Sequence, residues 1–215
     1  MAITDLKALL TELSAAEADH NLDGLRAVRE RIIEAHPHSP EAAEALYKVG
    51  LDALFRARDI HSATELLQQA AKSGHPFWSA AARTSMALCY VHQKRSQKAL
   101  FELRKVAYGP KPSAHSVTAL SFMENIFESE QKPDEATKVR RDRVLQLEQL
   151  LGAEGPEPLG GPERGHYLHQ LALALLDLKE RARAKVALDE ALALGAAALG
   201  EEIWQRLADA AKQAG

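Results

Sequence analysis

The stretch MALCYVHQKRSQKALFELRKV, residues 86–106, decides the fold of this 215-residue chain. Its apolar residues recur at steps of three and four, which is the period of an amphipathic helix and not the two-residue period of a strand. A polar joint at residues 94–95 separates two such segments, so the stretch predicts two antiparallel helices. The apolar positions that define the pattern are Met86, Ala87, Tyr90, Ala99, Leu103 and Val106.

The same pattern recurs along the chain, and the next clearest copy spans residues 168–193. One alanine marks the same position in each of four copies, and Leu25 takes that place in a degenerate first copy. From Leu25 onward the marked positions are 38, 36, 37 and 48 residues apart. Self-similarity at such a period predicts an array of helical repeats, with an insertion in the last interval. The four alanines are Ala63, Ala99, Ala136 and Ala184.

This pattern resembles the tetratricopeptide repeat (TPR), in which a large apolar residue, Leu-Gly, Tyr, Ala, an aromatic or Leu, and an exit proline recur over about 34 residues. The segment HPHSPEAAEALYKVG, residues 36–50, is also similar to TPR proteins of bacterial cell-envelope assembly, which often have a Pro-x-Ser-x-x-Ala joint. The resemblance covers residues 40–194 well and 1–39 weakly. It implies an all-α fold, a right-handed superhelix (α-solenoid) of about five antiparallel helix pairs plus a C-terminal capping helix.

Prolines and glycines divide the chain, since the prolines fall between amphipathic stretches or in the first turn of a helix. The glycine- and proline-rich segment 152–165 prevents a continuous helix and is expected to be an inserted loop. We therefore expect TPR-like repeats over 1–151 and a last pair with a terminal helix over 166–215. The terminal helix, with Trp204 on its apolar stripe, is interpreted as a cap; the alternative is a docking helix for a partner. The predicted helices span 3–19, 22–35, 40–57, 60–73, 77–93, 96–108, 113–130, 133–150, 163–178, 181–194 and 199–213.

Composition excludes several classes of protein. With 46% hydrophobic residues the chain can bury a core without disulfides, and its single Cys89 is expected to be an inert core thiol. The net charge of -3 does not indicate a nucleic-acid or membrane surface. No stretch approaches the ~20 apolar residues of a membrane span, and the N-terminal residues lack the features of a secretion signal. We expect a cytoplasmic protein.

Motifs that carry chemistry are absent from the sequence. His166 and His169 share a helix face, but the glutamate and spacing of an HExxH zinc motif are missing. Neither a phosphate-cradling glycine loop nor a nucleophile elbow occurs. We therefore expect no enzymatic activity, no metal and no cofactor.

The TPR resemblance implies where a partner binds, because the first helix of each pair lines a concave groove in that family. TPR modules that clamp a terminal carboxylate use lysine and asparagine, and only Asn125 matches that set here. The groove is therefore expected to be mixed and mildly apolar. Its predicted residues are Tyr47, Leu51, Thr84, Leu88, His92, Thr118, Ser121, Asn125, Glu128, His169, Leu173 and Asp177.

The fourth pair departs from the pattern, because Glu124, Arg140 and Arg143 occupy apolar positions. Either the charges enter a helix crossing, where they would need near-complete hydrogen bonding, or the register slips and the arginines are exposed. The second interpretation is favoured. Lys138, Arg140, Arg141 and Arg143 would then form a basic surface beside the inserted loop, which is either a solvated helix face or an anchor for acidic partner segments.

Together these features predict a non-enzymatic scaffold or adaptor that binds a partner protein or peptide through the groove and a basic helix. One alternative is a homo-oligomer in which Trp204 and the acidic terminal helices pack between copies. Another is a ligand-sensing or nucleic-acid-associated regulator that uses residues 94–143, which carry eleven Lys/Arg against seven Asp/Glu.

Overall fold

A computed structural model describes residues 5–152, 159–196 and 200–214, without the side chains at 203, 207, 210 and 212–214. Eleven α-helices lie in these described ranges, and each coincides within a few residues with a predicted helix. The all-α prediction is confirmed. The helices are α1 (Leu6–Ala18), α2 (Leu22–Ala35), α3 (Pro40–Phe55), α4 (Ile60–Lys72), α5 (Pro76–His92), α6 (Ser96–Ala107), α7 (Ala114–Ser129), α8 (Pro133–Leu151), α9 (Gly161–Asp177), α10 (Arg181–Ala193) and α11 (Glu201–Ala214).

Short polar side chains begin several of the helices by accepting hydrogen bonds from backbone N–H groups that have no partner inside the helix. Asn21 Oδ1 accepts from the Gly24 N–H at 2.9 Å, and Ser39 Oγ accepts from the Ala42 N–H at 3.0 Å. Ser113 and Ser116 form a reciprocal capping box at the start of α7. Local sequence therefore sets where these helices begin.

The turn inside each helix pair contains one residue in the left-handed conformation, with φ between 51° and 63°. Each of these residues lies five positions before Leu25 or one of the four marked alanines, so the repeat register is confirmed. In the first pair the next residue, Asn21, donates its N–H to the Ala16 carbonyl at 2.9 Å, a Schellman closure. In the second pair Asp59 donates to Ala53, one residue further back, because that pair has one extra residue. The left-handed residues are His20, Arg58, Lys94, Gln131 and Lys179.

Neighbouring helices pack in chain order within two compact units, Met1–Val106 and Ala107–Gly215. In unit 1 the small residues allow close approach: a Cβ added to Gly50 would lie 2.9 Å from Leu67 Cγ. The nearest neighbour of Gly50 is therefore Leu67, whose side chain fills the space above the glycine. The thiol of Cys89 is fully buried, and its burial raises its pKa.

Unit 2 has its own core of buried leucines and alanines from α8, α9 and α10. Trp204 and Ala211 of α11 pack against this core, which fits the interpretation of α11 as a cap. The side chains of Ile203 and Leu207 and residues 153–158 of the expected inserted loop lie outside the described part of the chain. None of the described helices is long and apolar enough to cross a membrane.

Candidate protein-interaction surfaces

In unit 1, α3 and α5 are the first helices of consecutive pairs, and they pack directly on each other. Ser39 caps α3, and His75 and Pro76 begin α5, so both helices start at local sequence signals. Positions 47, 51 and 55 fall on one side of α3, one turn apart. We call the surface made by these two helices the α3/α5 face; it consists of Tyr47, Leu51, Phe55, Phe77, Trp78, Leu88, Val91 and His92.

Aromatic rings form the centre of the α3/α5 face. The rings of Tyr47 and Trp78 lie 5.4 Å apart between centroids, so they join α3 to α5. Phe77 stands edge-on to Trp78 at 4.7 Å, and Lys48 Nζ lies 6.0 Å from the Trp78 ring centroid. Such rings combine a large apolar area with few rotatable bonds, which suits them to anchor a partner.

Most of the residues that the sequence predicted for this region are accessible. Tyr47, Leu51 and Leu88 are half-buried and His92 is exposed. Thr84 is buried, because its hydroxyl donates to the Ala80 carbonyl at 3.0 Å within α5. Thr84 is therefore part of the packing between helices and not of the accessible face.

Large apolar side chains remain exposed on the same face. Phe55 is 62% exposed, Phe77 53% and Val91 43%. Exposed apolar residues scattered singly need no explanation, but several on one face indicate an interaction surface. The α3/α5 face therefore has the apolar character that a protein partner could cover.

In unit 2 the corresponding surface is polar. Ser121 is half-buried, Asn125 and Glu128 are exposed on α7, and His169 is half-buried on α9. These four residues define what we call the α7/α9 face. Thr118, whose hydroxyl donates to Ala114 within its own helix, is also exposed, as are Leu173 and Asp177 of α9.

Burial lowers the pKa of His169, and the nearby charges of His166 and Arg206 lower it further. The imidazole is therefore more difficult to protonate than an ordinary histidine. Among the described residues, no group of three or more His, Cys, Asp or Glu side chains is placed to hold a metal ion.

Behind the α7/α9 face lies a charged triad, Glu124 of α7 with Arg140 and Arg143 of α8. Glu124 and Arg143 are buried, and the Arg140 side chain is only 13% exposed. Arg140 Nε donates to Glu124 Oε1 at 2.7 Å, and Arg143 Nη2 lies 2.9 Å from Glu124 Oε2. Arg140 also pairs with Glu128, and its Nε lies 3.7 Å from an oxygen of Asp177 on α9.

The hydrogen bonding of the triad is incomplete. Glu124 Oε2 meets Arg143 as an ion pair without hydrogen-bond geometry, and Arg143 Nε finds no acceptor among the described residues. Burial by itself would lower the pKa of Arg140, but the hydrogen bond and charge of Glu124 outweigh it and raise that pKa above its ordinary value. The arginine therefore stays charged inside the helix crossing.

The favoured interpretation of a register slip in the fourth pair is wrong. The pair keeps its register, since Ala136 is buried at its marked position, and the charges enter the crossing because each arginine reaches a Glu124 oxygen. Only Lys138 and Arg141 of the predicted basic surface are exposed. Because removing the arginines would leave Glu124 buried and unpaired, we expect an Arg140→Glu, Arg143→Glu double variant to destabilise unit 2.

Comparisons with known proteins bear on the fold of the chain. No protein-family model matches the sequence, and no curated protein matches it. Among solved structures, the chain is similar to the nearly identical TPR-like repeats of a protein described as a kinesin light chain from Podosopora anserina. The two share 16% identity over 91% of this chain and 97% of that chain, with a TM-score of 0.53. The chain has a TPR-like fold.

A crystal structure of MamA protein also matches, with 14% identity over 87% of this chain and 90% of that chain and a TM-score of 0.49. The predicted resemblance to TPR proteins is thus confirmed for the fold, by the structure with nearly identical repeats.

Sequence reasoning missed Phe77 and Trp78 as members of the α3/α5 face. Their position in the first turn of α5, next to Pro76, lies outside the repeat positions that line the groove in the TPR pattern. The signal that could have found them is composition, because aromatic residues make up only 5% of the chain and two of them are adjacent here.

Proposed function

We propose that this chain is a non-enzymatic, cytoplasmic adaptor or scaffold that binds an extended or helical segment of a partner protein on its α3/α5 face. The TPR-like fold supports a role in protein interaction. Tyr47, Leu51, Leu88 and His92 are the proposed contact residues that the sequence already indicated.

One observation carries the proposal: the Tyr47–Trp78 pair joins two first helices, and the exposed ring of Phe77 stands against Trp78. Fully burying one such side chain against a partner is worth about 1.5–3 kcal/mol. A few aromatic anchors of this kind commonly provide most of the binding free energy of an interface.

The α7/α9 face is proposed as a separate, polar contact surface in unit 2. Ser121, Asn125, Glu128 and His169 offer hydrogen-bond donors and acceptors, which favour one partner over another more than they raise affinity. Lys138 and Arg141 of α8 are exposed and could receive an acidic partner segment. Arg140 and Arg143 support this surface from inside, as the positioning partners of Glu124.

A display library of random peptides, panned on the immobilised full chain, tests the role of the α3/α5 face. We expect selected peptides to bind the wild type and to lose about tenfold or more in affinity for a Phe55→Ser, Phe77→Ser variant, because two exposed anchors are removed.

The matched control is Leu145→Ser with Val186→Ser, since both residues are large, apolar and exposed on second helices of unit 2. Both variants are first compared with the wild type by circular dichroism. Peptides that bind all three proteins equally would contradict the proposal, as would peptides that lose affinity only for the control.

A further inference from the structure

The exposed side of α6 carries positive charge around one aromatic ring. Phe101 is 59% exposed, and Lys98 and Arg104 lie three residues before and after it, so all three share one side of the helix. Lys105 Nζ lies 3.9 Å from the centroid of the Phe101 ring. We call these residues, together with Lys94 in the turn before α6, the α6 stripe.

Little negative charge balances the α6 stripe. Residues 94–105 contain five Lys/Arg and a single carboxylate, Glu102. Glu102 is buried and pairs with Arg83 of α5 and with Lys105 at 3.0 Å. Lys98 and Arg104 make no ion pair with the described residues of the chain. The stripe therefore presents uncompensated positive charge beside an exposed phenylalanine.

The same unit contains a groove with the opposite character. It has a volume of about 340 Å³ and lies between α2 and α4, with Ile33, Val49 and Leu66 among its lining residues. Its carboxylates are Glu30, Glu34 and Glu65.

Only part of this negative charge is neutralised. Glu30 pairs with Arg26 at 2.9 Å, and an oxygen of Glu65 lies 3.4 Å from the imidazole of His61. Glu34 is exposed and forms no ion pair with the described residues. We call this acidic surface with an apolar lining the α2/α4 groove.

We propose that a second copy of this chain docks here, with its α6 stripe on the α2/α4 groove. Phe101 would cover the apolar lining, while Lys98 and Arg104 meet Glu34 and Glu65. Lys98 and Arg104 are six residues apart, about 9 Å along the helix axis, so the two cations can meet two separate carboxylates.

Charge complementarity selects this occupant, because the groove offers carboxylates around an apolar lining and the stripe offers cations around one apolar ring. Both surfaces belong to unit 1, so each copy carries one of each. Two copies can therefore exchange the contact twice about a two-fold axis, which is the commonest symmetry of protein oligomers. This dimer is independent of partner binding on the α3/α5 face.

Sedimentation velocity over a range of concentrations tests the dimer in the full chain. We expect the wild type to form a dimer whose dissociation constant rises with ionic strength, because exposed ion pairs are screened by salt. Lys98→Glu with Arg104→Glu, and separately Glu34→Lys with Glu65→Lys, should each raise that constant about tenfold or more. An equimolar mixture of the two variants should restore a heterodimer, since the reversed charges again match.

The control is Lys138→Glu with Arg141→Glu, which reverses two exposed charges on α8 and should leave the dimer unchanged. The milder variant Lys98→Gln with Arg104→Gln replaces a charge-reversed variant if circular dichroism shows that the reversed variant is misfolded.

A wild type that stays monomeric would overturn the proposal, whether or not the α6 stripe binds a polyanion such as heparin. A dimer that resists both reversed variants, or a mixture that stays monomeric, would also overturn it.

Discussion

The second and fourth helix pairs fill the same helix crossing with different chemistry. Counted from the marked alanines Ala63 and Ala136, Leu67 and Arg140 occupy the same position. In the second pair Leu67 lies against Gly50 of α3. In the fourth, Arg140 donates to Glu124 of α7 at 2.7 Å. One crossing is apolar and close, and the other is ionic.

The difference teaches that the TPR-like backbone constrains the spacing of a helix pair more strongly than its chemistry. A glycine under a leucine needs no partner beyond van der Waals contact. A buried glutamate needs cations, and here the α8 arginines supply them at the cost of desolvating all three charges. Charges that look available in the sequence are consequently engaged inside unit 2, whereas unit 1 leaves aromatic rings on its accessible face.

Breaking the ionic crossing should have the largest effect. We expect Glu124→Ala to lower the free energy of unfolding by about 3–5 kcal/mol, because the buried Arg143 would lose the carboxylate that pairs with it and Arg140 would lose its buried partner. Urea titration in a Trp78→Phe background measures this, since Trp204 then reports on unit 2 alone. Glu128→Ala is the control: its carboxylate is half-exposed, so its loss should cost about 1 kcal/mol or less. Equal losses for the two variants would contradict a buried triad.

Converting one crossing into the other sharpens the comparison. The triple variant Glu124→Ala, Arg140→Leu, Arg143→Ala places the residue types of an apolar pair in the fourth one. We expect it to recover most of the stability lost in Glu124→Ala and to lie within about 1 kcal/mol of the wild type, because no buried charge remains to be desolvated. The same fluorescence titration applies. A triple variant as unstable as the single one would show that the backbone of unit 2 needs the ionic contacts.

The smallest expected effect is a pH dependence in unit 2. Burial is the main reason that the pKa of His169 is lower in the folded chain than in the unfolded chain. As the pH falls below the unfolded value of about 6.5, the unfolded state therefore binds a proton more readily than the folded state does. The stability that depends on a neutral His169 is therefore present above that pH and lost as the pH falls. His169→Gln should therefore lose less stability than the wild type between about pH 7 and pH 5. A His169→Gln profile identical to that of the wild type would contradict this.

Much of the fold follows from local patterns. Steps of three and four between apolar residues placed all eleven described helices, and the spacing of the marked alanines located the turn inside each pair. The left-handed conformation of the five turn residues could not be predicted from residue type, because none of the five is a glycine.

The candidate surfaces could be predicted only in part. Tyr47, Leu51, Leu88 and His92 are accessible as expected, but Thr84 is not, because its burial depends on how α5 packs within unit 1. Phe77 and Trp78 enter the α3/α5 face through a contact between two helices that are far apart in sequence.

The sequence by itself determined the helices, their pairing and the alanine positions where helices cross, because these depend on spacing along one chain. Only the tertiary structure decided whether Arg140 and Arg143 face a partner or Glu124. The local sequence around the two arginines is compatible with either position. The outcome depends on whether a carboxylate on another helix comes within hydrogen-bond distance, because that contact offsets the desolvation of their charge.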